Sequence, residues 1–461
     1  MRRLWVWLLI AFVLLARLAH YGVLWVEEAY PAAAAIQMLW GKVPYRDFVF
    51  DKPPLSPLFY LLFGGYEGIP LRLAGAVYVL LCCWLAYRLV RSLWDEQAAR
   101  LAAIFTAFYL TFWWPAAVMA LAPDLLMLAP HLAAVWMASQ SRPIAAGALA
   151  AVAFLVNVKG LFVLAACLLW GSPLALLTGF MPVLAAAASL LWSLGALPGY
   201  LAQVWDWGLR YAGSPPSHDP LLGIRSVSSW LGFHVTLALS AIACLWREET
   251  LRRWRLIAWC VVAMCGVALG SRYTPRYFFL LLPVFVAAGA RGYTLLPRIP
   301  RYALSALLLI PLIRFGPRYF QVAINPFIEW SDTAMSRDAI QAAATILSRA
   351  LPGDTILVWG YRPEILMITR MPLGTPWLDS QPLTGVVADR HLRDSTPTAF
   401  ELSRRNRAVL LRYRPTFFID GLGLYNLNLA PGAFGEIDEW FSLYEEVGAT
   451  QGCRIYRLRA N

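Results

Sequence analysis

Residues 4–33, LWVWLLIAFVLLARLAHYGVLWVEEAYPAA, decide how the rest of the chain is read. Residues 4–25 are almost wholly apolar and long enough to cross a bilayer core, which takes about 20 residues. The run then meets Glu27 and Glu28. Carboxylates at that boundary are costly unless something uses them, so the pair marks a candidate functional position at the mouth of a first span. Pro31 suits the first turn of a new helix and disfavours helix at Tyr30. The sequence therefore predicts a break near Tyr30 and a short, mostly apolar helix over 31–40 that ends at Gly41 and lies against the membrane.

The composition extends this reading to the whole chain. Of 461 residues, 60% are hydrophobic and 14% charged, against about 45–50% and about 25% in soluble domains. Apolar runs fall at 4–25, 70–90, 99–114, 124–139, 143–158, 160–175, 176–196, 230–246, 256–270, 277–293 and 301–315, giving about eleven spans. Segment 53–66 carries three prolines and reads as a membrane-surface piece. The net charge of +12 reflects arginines in cytoplasmic loops. No pattern supports nucleic-acid binding. With the N-terminus inside, Arg2, Arg3, Arg88, Arg91, Arg100, Arg142, Arg247, Arg252, Arg253, Arg255, Arg291, Arg298 and Arg301 all fall on the cytoplasmic side. MRRLWVWLL is expected to be an uncleaved first span. Six of the seven cysteines lie in apolar runs, with no zinc or haem spacing.

From about 317 to 461 the long apolar runs stop. DTILVWG, PTFFID and CRIYRL read as buried strands, and SRDAIQAAATILSRAL as an amphipathic helix ended by PGD. The expected architecture is a polytopic α-helical membrane domain over 1–316, with its first outer loop at 26–72, and a small extracytoplasmic α/β domain over 317–461. No nucleophile motif or Gly-rich phosphate loop appears in the tail, which reads as a lid or recognition domain.

Polar residues gather at the expected outer face. The first loop contains Lys42, Tyr45, Arg46, Asp47, Asp51 and Lys52. Of 39 basic residues only Lys42, Lys52 and Lys159 are lysines, and all three map near the outer mouth, where a compact ammonium could meet a phosphate. Asp124 opens the fourth span; His131, seven residues on, reads as a core histidine on the same helical face. Arg272 and Arg276 precede the tenth span.

The acidic pair followed by Tyr30, then GKVPYRDF and DKPPL, and later APDLL, NVKG and RYFFLLLP, resembles the GT-C glycosyltransferases. The resemblance is closest to the bacterial branch of the protein O-mannosyltransferase and aminoarabinose transferase superfamily, and covers roughly residues 1–315. It implies transfer of a sugar from a polyprenyl-phosphate carrier to a lipid, glycan or protein acceptor at the outer face of a prokaryotic inner membrane. It places Glu27 at the position of the catalytic base, with Glu28 the alternative. Asp124 resembles the second acidic residue, and Lys52 and Lys159 resemble phosphate-contacting lysines.

On the chemistry, Glu28 or Asp124 would orient acceptor or sugar, and Lys52, Lys159, Arg72 and Arg276 would hold the phosphate. Asp51, Tyr30 and Tyr45 complete the candidate binding residues. No cofactor is required; two carboxylates and a phosphate could hold a divalent metal, and no spacing demands one. The alternative class is a transporter or flippase using the mouth carboxylates as a cation or proton site. Acids clustered at one mouth and the lack of an internal repeat argue against it. A non-catalytic scaffold presenting the tail would leave the cluster without a purpose.

Overall fold

The computed structural model describes residues 4–214, 220–325, 328, 330–387 and 395–460. Arg2 and Arg3, on which part of the topology rests, lie outside the described residues. Among the described residues three helices, Ile69–Leu93, Pro173–Ser193 and Arg298–Ile324, are long and apolar enough to cross a membrane, or four if Leu221–Phe233 and Val235–Arg247, bent by 85°, form one broken span. The other apolar runs form shorter helices, among them Leu4–Leu18, Leu128–Ser139, Pro143–Val156, Leu161–Cys167 and Leu282–Leu295. The last long helix continues to Ile324, past the boundary expected at 316.

The opening stretch folds differently from its expectation. The first helix stops at Leu18, and the next runs from Val26 through Pro31 to Leu39. The break therefore precedes the acidic pair and leaves both carboxylates in a first helical turn, where the dipole favours them. Nor does the second helix keep the open apolar face that a helix lying on a membrane surface needs. Trp25, Ala29, Ala32 and Ile36 pack into the core of apolar helices, while Val26, Tyr30, Ala33 and Ala34 pack into a second core shared with the tail. The three-to-four-residue spacing gives the helix two buried faces, and its alanines let both cores approach closely.

The expected tail strands are present: β1 Ile356–Trp359, β2 Phe417–Asp420 and β4 Arg454–Leu458, joined by β3 Tyr444–Ala449, which the sequence reading missed. They form one sheet in the order β1-β2-β4-β3, with β1 and β2 parallel and the other pairs antiparallel. The amphipathic helix spans Ser331–Leu347. The first loop is fastened to the backbone of this unit. The Gln37 amide donates to the Met371 carbonyl at 3.0 Å and accepts from Leu373 N at 2.8 Å. Val49 N donates to the Pro376 carbonyl at 2.7 Å.

Candidate active site

Breaks in the helices position the charged residues. Glu27 stands in the first turn of Val26–Leu39, and Asp124 in the first turn of the short helix Pro123–Leu126. Lys159 lies in the 3₁₀ turn Val158–Gly160, and Arg276 in the 3₁₀ turn Pro275–Leu280. Each interruption brings side chains off the helix packing and toward one cavity of about 180 Å³. Its wall contains Glu27, Asp124, Lys159 and Arg276, with Tyr30, Asp51 and Lys52 from the first loop region.

Arg276 ties the two acids together. One guanidinium nitrogen bonds Glu27 Oε1, and Nε lies 3.5 Å from Asp124 Oδ2. Asn157 donates to Asp124 Oδ1 at 3.0 Å, and its own Oδ1 accepts from Lys159 N at 3.0 Å. Lys159 is buried, and its ammonium lies 3.0 Å from the centroid of the Tyr277 ring with no hydrogen-bond acceptor among the described residues. The cation–π contact is favourable, but three N–H donors are left for a ligand to satisfy. Gly160 is required by packing: a Cβ there would stand 2.2 Å from Phe154 N.

Lys52 bonds Asp51 at 2.7 Å, with both side chains partly exposed to the cavity. Tyr30 stacks on Phe50 at 5.3 Å and packs against Tyr361 of the tail at 5.4 Å. Three candidate residues lie outside the cavity wall. Glu28 is fully buried and bonded to Arg72, which also donates to the carbonyls of His20, Val23 and Met119. Glu28 further accepts from Trp25 N and Leu121 N, both at 3.2 Å. This ion pair locks the 19–25 break against the Ile69–Leu93 helix, so its charges are already spent. Tyr45, with a positive φ of 68°, donates to the Lys52 carbonyl at 2.6 Å and accepts from Gln203 at 2.9 Å. It shapes the loop behind the cavity.

His131, as expected, is a core residue; its Nε2 accepts from the Trp259 indole at 3.2 Å. The sequence reading singled out NVKG but not Asn157 itself, nor Tyr211, Trp207 and Tyr277 on the cavity wall. An Asn two residues before the lysine, capping a tight turn, was the available signal for Asn157. Nothing local marks the aromatic residues, because they arrive from distant segments. Among the described residues no three His, Cys, Asp or Glu side chains converge as a metal site would require.

Residues 51–197 match the dolichyl-phosphate-mannose-protein mannosyltransferase family. ArnT from Cupriavidus metallidurans, solved bound to undecaprenyl phosphate, superposes with a TM-score of 0.65 at 13% identity, covering 99% of this chain and 98% of that one. The fold is GT-C. The GT-C fold also accounts for likeness to the apo oligosaccharyltransferase of Archaeoglobus fulgidus, with a TM-score of 0.51 at 12% identity over 97% of this chain and 73% of that one. The mycobacterial arabinofuranosyltransferase AftD gives a TM-score of 0.54 at 14% identity over all of this chain and 40% of that one. A comparison with curated protein sequences finds no match.

Proposed function

We propose that this chain is an integral-membrane inverting glycosyltransferase that moves a sugar from a polyprenyl-phosphate carrier to an acceptor at the outer face of a prokaryotic inner membrane. The observation that carries the reading is the buried Lys159 ammonium, without an acceptor among the described residues, on the wall of a cavity that also holds Glu27, Asp124 and Arg276. An anionic phosphate completes that set. The family match and the GT-C fold support the reaction class, and the arginine-rich segments support a cytoplasmic N-terminus and an extracytoplasmic tail over 317–461.

Glu27 is the base. It removes a proton from an acceptor hydroxyl or amine, whose lone pair attacks the anomeric carbon from the face opposite the phosphate. The C–O bond to the carrier breaks and its electron pair leaves with the polyprenyl phosphate. Lys159 and Lys52 stabilise the growing charge. Arg276 begins bonded to Glu27 and Asp124; a bound phosphate draws it away and frees the base, so donor binding arms the site. The test uses full-length protein in detergent with undecaprenyl phosphate. Lys159→Met, which keeps the stem and removes the charge, should weaken its binding by about 10² or more, on the scale of single electrostatic stabilisers. Unchanged binding by a folded variant would remove the phosphate from this cavity.

A further inference from the structure

A second cavity, of about 260 Å³, adjoins the first, and the two share Tyr30, Asp51 and Trp207. Its far wall belongs to the tail, with Trp377, Asp379, Gln381 and Asn406. The near wall comes from the turn Leu201–Asp206, which is wound as a π-helix. Such widened turns are rare and concentrate at functional sites. Here the turn sends Val204 to the first cavity and Gln203 and Asp206 to the second.

The hydrogen bonds of this lining are unevenly spent. Gln203 is committed to Phe50 N and the Tyr45 carbonyl, both at 2.9 Å. Asn406 donates to the Pro382 carbonyl at 2.8 Å, and Asp379 accepts from Gln381 N at 2.8 Å. The Gln381 side chain differs. The residue is 5% exposed, and its Nε2 has no hydrogen-bond partner among the described residues. A buried amide donor left without an acceptor is destabilising, and at a cavity wall a ligand acceptor removes that cost.

The surrounding chemistry narrows that ligand. Three carboxylates, Asp51, Asp206 and Asp379, face one arginine, Arg210, which disfavours a phosphate. The density of polar groups disfavours a lipid chain. Carboxylate acceptors, an amide donor and two indoles, Trp207 and Trp377, suit a ring that carries hydroxyls at its rim and C–H groups on its face.

We propose that the second cavity holds a carbohydrate acceptor, whose hydroxyl crosses the Tyr30–Asp51–Trp207 boundary to meet Glu27 and the donor sugar. This rests on the transferase reading and specifies its acceptor. The test measures two ligands separately on the full chain in detergent: undecaprenyl phosphate, and a panel of maltotriose, cellotriose, mannotriose and chitotriose. At least one trisaccharide should bind. Gln381→Ala, which removes the donor, and Gln381→Trp, which fills the space, should each weaken it by about tenfold or more, with undecaprenyl phosphate affinity held within about twofold. Should Gln381→Trp fail to fold, Asn406→Ala at the half-buried rim replaces it.

Protein that binds undecaprenyl phosphate but no trisaccharide, or variants that lose both ligands equally, would overturn the carbohydrate assignment and leave the transferase reading standing. A Ser/Thr hexapeptide that binds instead, and is lost in the same variants, would likewise overturn it in favour of a protein acceptor. Failure of the wild type to bind undecaprenyl phosphate, by contrast, counts against the transferase reading itself.

Discussion

The Glu28–Arg72 and Glu27–Arg276–Asp124 clusters are built from the same side chains and begin at adjacent residues, yet they do opposite work. Glu28 is fully buried, and both of its oxygens accept from Arg72 and from backbone N–H groups. Arg72 is equally saturated by three backbone carbonyls. Nothing in that cluster remains for a ligand. Glu27 and Arg276 instead border a cavity, and Lys159 beside them has a buried ammonium without an acceptor among the described residues. Neighbouring helical positions point about 100° apart, so one carboxylate faces the packing and the other the opening. What separates a strut from a site is thus how completely the surrounding backbone has answered the charges.

The comparison breaks most visibly at Glu27. Glu27→Gln keeps shape and hydrogen bonding but removes the carboxylate proposed as the base. Transfer should fall by about 10²–10⁴, with the thermal midpoint and undecaprenyl phosphate binding close to wild type. Turnover near the wild-type rate would take the role of base away from Glu27.

At Glu28 the expected outcome is reversed. Arg72→Ala leaves a carboxylate buried without its partner, at a cost of about 3–5 kcal/mol. The readout is the unfolding midpoint or the yield of folded protein in detergent. Removing both charges together, as Glu28→Gln with Arg72→Met, should recover part of that loss, because no isolated charge remains. A single variant that folds normally and loses only transfer would place Glu28 in the site.

Much of this contrast was legible from the sequence. The acidic pair, DKPPL and NVKG named Glu27, Lys52 and Lys159, and the APDLL segment named Asp124. All four line one cavity. Pro31 suits a first helical turn and so predicts a break at Tyr30, whereas packing on both helix faces carries the helix through it and the break falls before Val26. Arg72 could not be sorted from Arg276 locally: each is one arginine near an outer helix end, and only the distant carbonyls of His20, Val23 and Met119 show that one of them is spent. In the tail, strands made of consecutive apolar residues were readable. β3, YEEVGA, alternates too weakly and is half-exposed, so its pairing with β4 decides it.

A third cluster sharpens the comparison through pH. Glu364, in the first turn of the tail helix Pro363–Thr369, is buried, and its Oε2 has no hydrogen bond among the described residues. Burial first, then the Glu27 and Asp338 charges, push its carboxyl up to about 7, against the pull of Arg362. Folded protein therefore keeps this proton after the unfolded chain has lost it near its ordinary value of 4.5. Stability from this group is full below that value, falls by at most about 1.4 kcal/mol per pH unit as pH rises toward 7, and is flat above. Unfolding midpoints of wild type and Glu364→Gln, taken across that window, should converge in acid and separate toward pH 7, with the variant the more stable. Parallel curves would mean that Glu364 is charged throughout.

The smallest expected effect is at Lys42, and it tests whether the first loop is held by the tail. The sequence places this lysine near the outer mouth but not among the residues expected to hold the phosphate, which predicts little consequence from its removal. In the structure it is half-buried and donates to the Leu373 carbonyl at 2.5 Å. Gln37 bonds Leu373 N and the Met371 carbonyl beside it. Lys42→Met keeps the apolar stem and deletes the charged hydrogen bond, which is worth about 1.5–3 kcal/mol when buried and about 1 kcal/mol at this partly solvated position. The loss should appear as faster amide exchange at Leu373 and in the Lys42–Val49 loop, with transfer reduced only a few-fold, by roughly what such a loosening costs in positioning. The cavity carries Lys52, ten residues further along the same loop, so a loop that loosens without any change in transfer would separate the anchor from the site. A loss as large as that of Glu27→Gln would instead make Lys42 part of the site.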